Sequence, residues 1–250
     1  MPQLTILGSA AAVPDICHDN TYMILKGKAS SILIDCGGSP LQRVQRVGVP
    51  LKTLEALIVT HHHPDHIYGV PVLFLGLCLY DHPGLHVFGP AESIATILSF
   101  MDLLEWESWP TPFPVSFHEV EMMEEYPVID SAEFEITAAP VRHFIPTIAL
   151  KVVSKETGRS IVYSSDTEPC ESLFRLAQGV DILIHESTGP YPGHSTSAQA
   201  GIMAQRCRVK KLVLIHFPVL NVDLEALRQA AQAEFEGAVD LARDFAVYPF

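Results

Sequence analysis

The segment Ile58–Gly69, IVTHHHPDHIYG, places four histidines and one aspartate within six consecutive positions. It overlaps the apolar run LEALIVT, which reads as a strand buried on both faces. Burying so many polar rings is costly unless each finds a partner, and a metal ion partners several at once. His61 and His63 are two positions apart, so at a strand end their rings project to one side. Pro64 breaks the strand and begins a turn, which brings Asp65 and His66 to face a neighbouring point. His62 alternates out of this set. The stretch IYGVPVLFLGL that follows is apolar and is expected to start a helix.

Further donors stand in equivalent places. His143 follows EITAAPV, Asp166 follows SIVYSS and His216 follows KLVLI, each at the carboxyl end of an apolar run. Loops in that position carry function. One mononuclear site takes three or four ligands, so this supply suffices for two metals. LTILG, TYMIL and SSILIDCG read as early strands, and HEVEMMEE, EFEITAAPV, TIALKVVS, SIVYSSD, VDILIHE and KLVLIHF as later ones. SPLQRVQRVG reads as a short helix with Ser39 as N-cap, Pro40 in its first turn and Gly48 at its end. PAESIATILSFMDLLEW, PCESLFRLAQ, STSAQAGIMAQRC and DLEALRQAAQAEF are further helices, and the Pro-rich WPTPFPVSF is a surface connection. Two strand-rich halves with helices outside imply a two-sheet sandwich covered by helices.

At 250 residues the chain has room for one large domain or two small ones, and 48% hydrophobic against 18% charged residues fits a packed globular protein. Asp and Glu number 29 against 16 Lys and Arg, a formal charge of −13. Such a surface repels polyanions at long range and argues against a large nucleic-acid footprint. Bound metal ions and a local patch can still invert the sign near a site. The five cysteines lie far apart without a CxxC pair, so neither a thiolate zinc site nor a disulfide framework is suggested. No apolar run approaches the length of a membrane span, and MPQLTILGSAAAVP reads as a first strand rather than a signal peptide. The cytoplasm is the default location.

THHHPDHIYG resembles the H-x-H-x-D-H signature of the metallo-β-lactamase superfamily. His143, YSSDT with Asp166, and LVLIHF with His216 are similar to its later metal motifs, in order. LIHESTGPYPGHST resembles the ribonuclease Z-like and phosphodiesterase branch through a His-Glu-x-Thr box (His185, Glu186, Thr188) and a His-Ser-Thr box (His194, Ser195, Thr196). The openings LTILGSAAAVP and LIDCGGSPLQRV are also similar to that branch.

The resemblance implies an α/β fold, a four-layer αββα sandwich of two mixed β-sheets flanked by helices, as one domain over residues 1–250. It implies two Zn2+ ions, with Mn2+ or iron as alternatives. His61, His63 and His143 would hold the first, Asp65, His66 and His216 the second, and Asp166 would bridge them. His194 would be the proton donor to the leaving oxygen, oriented by Glu186, and Asp65 would share in proton transfer. The implied activity is hydrolysis by metal-activated water. Two departures bear on the substrate. Only FIPTIALKVVSKETGRSIVYSS separates His143 from Asp166, enough for a hairpin but not for the protruding tRNA-binding arm of ribonuclease Z enzymes. The branch's basic Pro-x-Lys-x-Arg-Asn loop is replaced by PDICHDN. A small or cyclic phosphodiester is therefore expected ahead of a tRNA 3′ end. Hydrolysis of a lactone, thioester or other carboxylic ester, and a metal-binding non-catalytic role, are the alternatives. A homodimer through the apolar segment after His66 is an open expectation.

Other features have plainer readings. His82, His86 and His118 read as structural, and His18 is evenly balanced. His185 fits a hydrogen-bonding role better than ligation. Gly37-Gly38 reads as a tight turn after a strand. Ser195 lacks a G-x-S-x-G setting and reads as a helix N-cap. Trp106, Trp109 and Phe113 form either a lip over the cleft, a subunit contact or a cover over the core.

Overall fold

A computed structural model of the protein describes residues 1–109 and 114–250. The first half supplies strands β1 (Gln3–Gly8), β2 (Tyr22–Lys26), β3 (Ser31–Ile34), β4 (Leu54–Ile58), β5 (Leu85–Gly89) and β6 (Val115–Glu119). Helices α1 (Pro40–Arg46), α2 (Pro64–Ile67), α3 (Val70–Leu79) and α4 (Ala91–Leu103) lie between them in sequence. The second half supplies β7 (Tyr126–Asp130), β8 (Phe134–Pro140), β9 (Ile148–Ser154), β10 (Ser160–Tyr163), β11 (Ile182–Glu186), β12 (Lys211–Ile215), β13 (Ala238–Leu241) and β14 (Val247–Pro249). Its helices are α5 (Glu171–Leu176), α6 (Ser197–Cys207) and α7 (Leu224–Gln232).

Two seven-stranded sheets result, in the orders β14-β1-β2-β3-β4-β5-β6 and β13-β12-β11-β10-β9-β8-β7. Each is mixed. β3 to β6 pair in parallel, as do β10 to β13, and the remaining pairings are antiparallel. Period-two alternation divides the core into layers. Met23, Leu25, Ile32, Ile34 and Ile58 face the second sheet, where they meet Ile148, Leu150, Tyr163 and Ile215. Tyr22, Ile24, Leu33 and Leu57 point the other way, onto Val44 of α1, Phe74 of α3 and Ile97 of α4. Val162, Leu183 and Leu212 likewise meet Leu173 of α5, Met203 of α6 and Ala231 of α7. This is the αββα sandwich of two mixed sheets flanked by helices.

Several expectations need correction. β6 ends at Glu119, so HEVEMMEE is not a strand throughout: Gly89 opposite Glu119 is the last pair that β5 offers. The connection read in WPTPFPVSF is shorter than expected, because Val115–Phe117 already belongs to β6, and Pro110–Phe113 lies outside the described residues. α6 is capped by Thr196, not Ser195. Thr196 and Gln199 form a capping box, while Ser195 Oγ donates to the Thr167 carbonyl at 2.7 Å. Ser39 stands at the N-cap of α1 but makes no side-chain capping bond. Trp106 and Trp109 pack against the core beneath α4, which makes them cover rather than lip. Among the described residues, no helix is long and apolar enough to cross a membrane.

Candidate metal centre

The parallel strands end on one side of the molecule, and the sandwich brings those ends together. His61, His63, Asp65 and His66 follow β4, and His143 follows β8. Asp166 follows β10, Glu186 ends β11 and His216 follows β12. The backbone turns sharply at these exits. Asp35, Ser165 and His216 all adopt left-handed conformations, with φ of 59°, 52° and 51°. Non-glycine residues accept this strain where the surroundings over-determine the geometry, as at functional sites. Gly37 is required by close approach, not by a tight turn. A Cβ there would lie 1.7 Å from the Asp65 carbonyl oxygen.

The donors fall into two groups. Ligand atoms of His61, His63, His143 and Asp166 lie within 4.8 Å of one another, and so do those of Asp65, His66 and His216. His63 Nδ1 is 3.1 Å from His143 Nε2, and Asp166 Oδ2 is 3.8 Å from His61 Nε2 and 4.0 Å from His143 Nε2. In the second group His216 Nε2 is 3.4 Å from both His66 Nε2 and Asp65 Oδ2. Asp166 turns its other oxygen, Oδ1, toward this group, 3.6 Å from His66 Nε2. Tetrahedral donors about 2.0–2.1 Å from zinc sit about 3.3 Å apart, so the shortest of these spacings suit a shared cation. Among the described residues, His61 Nε2 and Asp166 Oδ1 are buried without a hydrogen-bond partner. Orphaned buried groups are expensive, and cations in the two groups would satisfy both atoms.

The rings and carboxylates shift one another's protonation. Burial, reinforced by His66, holds His61 well below the ordinary imidazole range and leaves its ring a neutral donor. Burial pulls His66 down as well, but Asp166 and Asp35 outweigh it and hold its pKa well above normal. Burial opposes the ionised form of Asp65, yet the His216 hydrogen bond and the His66 charge bring it down to about 2. Asp166 also lies well below its usual range, because His216 and His66 overcome its burial.

The second nitrogen is engaged in four of the five rings, those of His61, His66, His143 and His216. His143 Nδ1–H donates to the Gly193 carbonyl at 2.7 Å, and His61 Nδ1 lies 3.2 Å from Thr60 Oγ1. Thr188 Oγ1 lies 2.9 Å from His216 Nδ1 and donates to the His216 carbonyl. His66 Nδ1 is 2.9 Å from Asp35 Oδ2, and Asp35 in turn accepts from Thr60 N and Oγ1 at 2.8 and 3.0 Å. Such partners fix the ring plane and the tautomer. The site reading of the sequence missed Asp35, Thr60 and Gly193. The available signal for Asp35 was an acid closing an otherwise apolar strand. Asp35→Ala is expected to weaken metal binding about 10–100-fold, read by competition with a chromophoric chelator. Unchanged affinity in a folded variant would remove Asp35 from this role.

His194 stands over both groups. Its ring stacks on His216 at 6.0 Å and meets His143 edge-on at 5.0 Å. Its Nδ1 is 3.1 Å from Glu186 Oε1. Glu186 is fully buried and also accepts from the backbone amides of Thr167, Ser195 and Thr188 at 3.1, 2.9 and 2.8 Å. Asp166, His194 and His216 form a third possible donor group by distance. The bond to Glu186 commits His194 Nδ1 elsewhere, which favours the first two groups. The remaining histidines stay apart. His62 contacts Ser93, His18 contacts Asp15, and His82 lies against the Leu51 carbonyl. His86 pairs with His118, and buried His185 contacts the Glu186 carbonyl.

Residues 30–217 match the beta-lactamase superfamily domain. Ribonuclease Z of Mycobacterium bovis (strain BCG / Pasteur 1173P2) is 30% identical over 275 residues, covering 98% of this chain and 96% of that protein. The metallo-beta-lactamase fold protein YhfI from Bacillus subtilis superposes with a TM-score of 0.84 at 24% identity, over 99% of this chain and 98% of that one. Human tRNase Z, short form, superposes with a TM-score of 0.81 at 25% identity, again over 99% and 98%.

Proposed function

We propose, for a chain that belongs to the beta-lactamase superfamily and to its ribonuclease Z-like branch, that it hydrolyses small or cyclic phosphodiesters with two Zn2+ ions as cofactors. Metal-dependent hydrolysis is common ground with these relatives, and the substrate and the metal are the proposal. The observation that carries it is the carboxylate of Asp166, whose two oxygens face different donor groups. His61, His63 and His143 would hold one cation, Asp65, His66 and His216 the other, with Asp166 between them. Imidazole and carboxylate donors suit zinc, with manganese or iron as alternatives that elemental analysis distinguishes.

When bound, such a pair lowers the pKa of water and takes up negative charge on the phosphoryl group. The side chains do the rest. Glu186 holds the proton on His194 Nδ1, so Nε2 presents its own proton to the leaving oxygen. Asp65, more exposed than Asp166, would share in proton transfer by accepting a hydrogen bond from the attacking water, while its low pKa keeps it ionised. Between His143 and Asp166 the chain forms only the β9–β10 hairpin, which supports a small substrate over tRNA. The test is a panel of zinc- and manganese-loaded protein against bis-p-nitrophenyl phosphate, 2′,3′-cyclic nucleotides, a tRNA precursor and a lactone. Turnover of the first two is expected. Lactone opening without phosphodiester cleavage would reverse the reading.

A homodimer belongs to the same proposal. Val72, Leu75 and Leu79 are exposed along one stripe of α3. No charged residue lies between Ile67 and Tyr80, in a chain of formal charge −13. An uncharged stripe pairs with its own copy without the repulsion that the rest of the surface imposes. Light scattering is expected to give twice the chain mass, reduced to one by Leu75→Lys. A monomeric parent protein would refute this.

A further inference from the structure

The loops around the donors are residues 9–20, 35–39, 59–69, 141–147, 164–170, 187–196 and 216–223. Of the chain's 16 Lys and Arg, they contain one, Arg142. Arg142 pairs with Glu168 at 3.6 Å and lines a separate hollow with Pro169, Cys170 and Met203. The mouth of the site therefore offers little to the backbone of a polyanion, whose grip depends on cations. The same loops expose Val13, Ile16, Phe144, Tyr191 and Leu220. Apolar side chains far outnumber cations among the exposed groups that meet whatever approaches.

Phe144 is the best placed of them. It follows His143 directly and remains 65% exposed. Its ring centroid lies 5.2 Å from that of His143 and 6.5 Å from that of His194. The ring is also braced. Gly193 has φ of 75°, and a Cβ there would come within 2.9 Å of both Phe144 Cε2 and His143 Nδ1. The Gly193 carbonyl accepts from His143 on the same side. The turn that carries His194 thus leaves room only for a glycine beside Phe144, and the phenyl group sits at the rim beside both a donor and the acid. An exposed, braced aromatic ring is a stacking surface for a planar partner.

We propose that Phe144 stacks on a planar aromatic group of the substrate, so that the substrate class is a small phosphodiester bearing a nucleobase-like ring rather than a bare sugar phosphate. This rests on the phosphodiester reading of the metal centre. The experiment measures inhibition of bis-p-nitrophenyl phosphate hydrolysis by adenosine 5′-monophosphate and by ribose 5-phosphate, which differ only in the base. Isothermal titration of both ligands gives a readout independent of turnover. The parent protein is expected to bind the adenosine compound about tenfold more tightly, within the range that base stacking supplies. Phe144→Ala should abolish that preference by weakening the adenosine compound alone, and Phe144→Trp should retain it. Equal binding of the two ligands, or a preference that survives Phe144→Ala, overturns the inference while leaving the hydrolase reading intact. A parent protein that cleaves no phosphodiester overturns both.

Discussion

Asp166→Asn is expected to lower turnover on every phosphodiester by about a thousandfold, because about 4 kcal/mol of charge stabilisation is lost with the cation pair. The substitution keeps the shape of the side chain and removes only its charge. Asp166 is nearly inaccessible, and its two oxygens address the two donor groups separately. Five histidines, His61, His63, His66, His143 and His216, surround it. They would bring donor atoms but no negative charge, so among the proposed ligands Asp166 and Asp65 would offset the charge of two dications in close proximity. An amide at position 166 offers one neutral oxygen in place of two charged ones. Elemental analysis should accordingly find fewer than two metal ions per chain. A folded variant that keeps full metal content and full turnover would remove Asp166 from the centre.

His194→Ala should separate proton donation from metal binding. An alkoxide leaving group needs a proton, and a positioned general acid contributes about 10²–10⁴-fold to such a step. Nitrophenolate leaves without one, so its release should fall by less than about tenfold when the acid is removed. The structure motivates this split. His194 Nδ1 is tied to Glu186, which three backbone amides hold in place. Glu186→Gln should follow the same pattern with a smaller loss, because an amide keeps the shape but cannot favour a charged ring. Metal content should be unchanged in both variants. Equal losses on the two kinds of leaving group would assign His194 to metal binding instead, through the third donor group it shares with Asp166 and His216.

Much of the architecture was legible before any coordinate. Strands such as LTILG and KLVLI are short, apolar and β-branched, and both faces of each are covered, so a continuous apolar run is their natural signal. β5, β7, β13 and β14 were not anticipated. Their residues are only partly buried, and VYP or AVDL is too short for periodicity to register. Ser195 was misplaced as a cap because Ser and Thr are equally good candidates there, and only the Gln199 side chain selects Thr196.

The chemistry divides in the same way. A reader of the residues alone finds the donors, because imidazoles and carboxylates after apolar strands have few uses apart from binding and catalysis. The roles of His194 and Glu186 came from the resemblance of their boxes to the ribonuclease Z-like branch, since His194 lies in a loop rather than directly after an apolar strand. What sequence order cannot express is which atoms meet across 80 or 150 positions, as His63 does with His143 and His66 with His216. The partners of the ring nitrogens, Asp35, Thr60 and the Gly193 carbonyl, leave hardly any trace in the chain, since a hydroxyl or a backbone oxygen is ordinary anywhere. Residue types determined the donors and the layered fold, because burial and periodicity are local properties of a chain. The resemblance already implied how the donors group, and tertiary structure added the distances at which they meet, the two directions of the Asp166 oxygens and the place of Phe144 at the rim, because those depend on how two sheets align their strand ends.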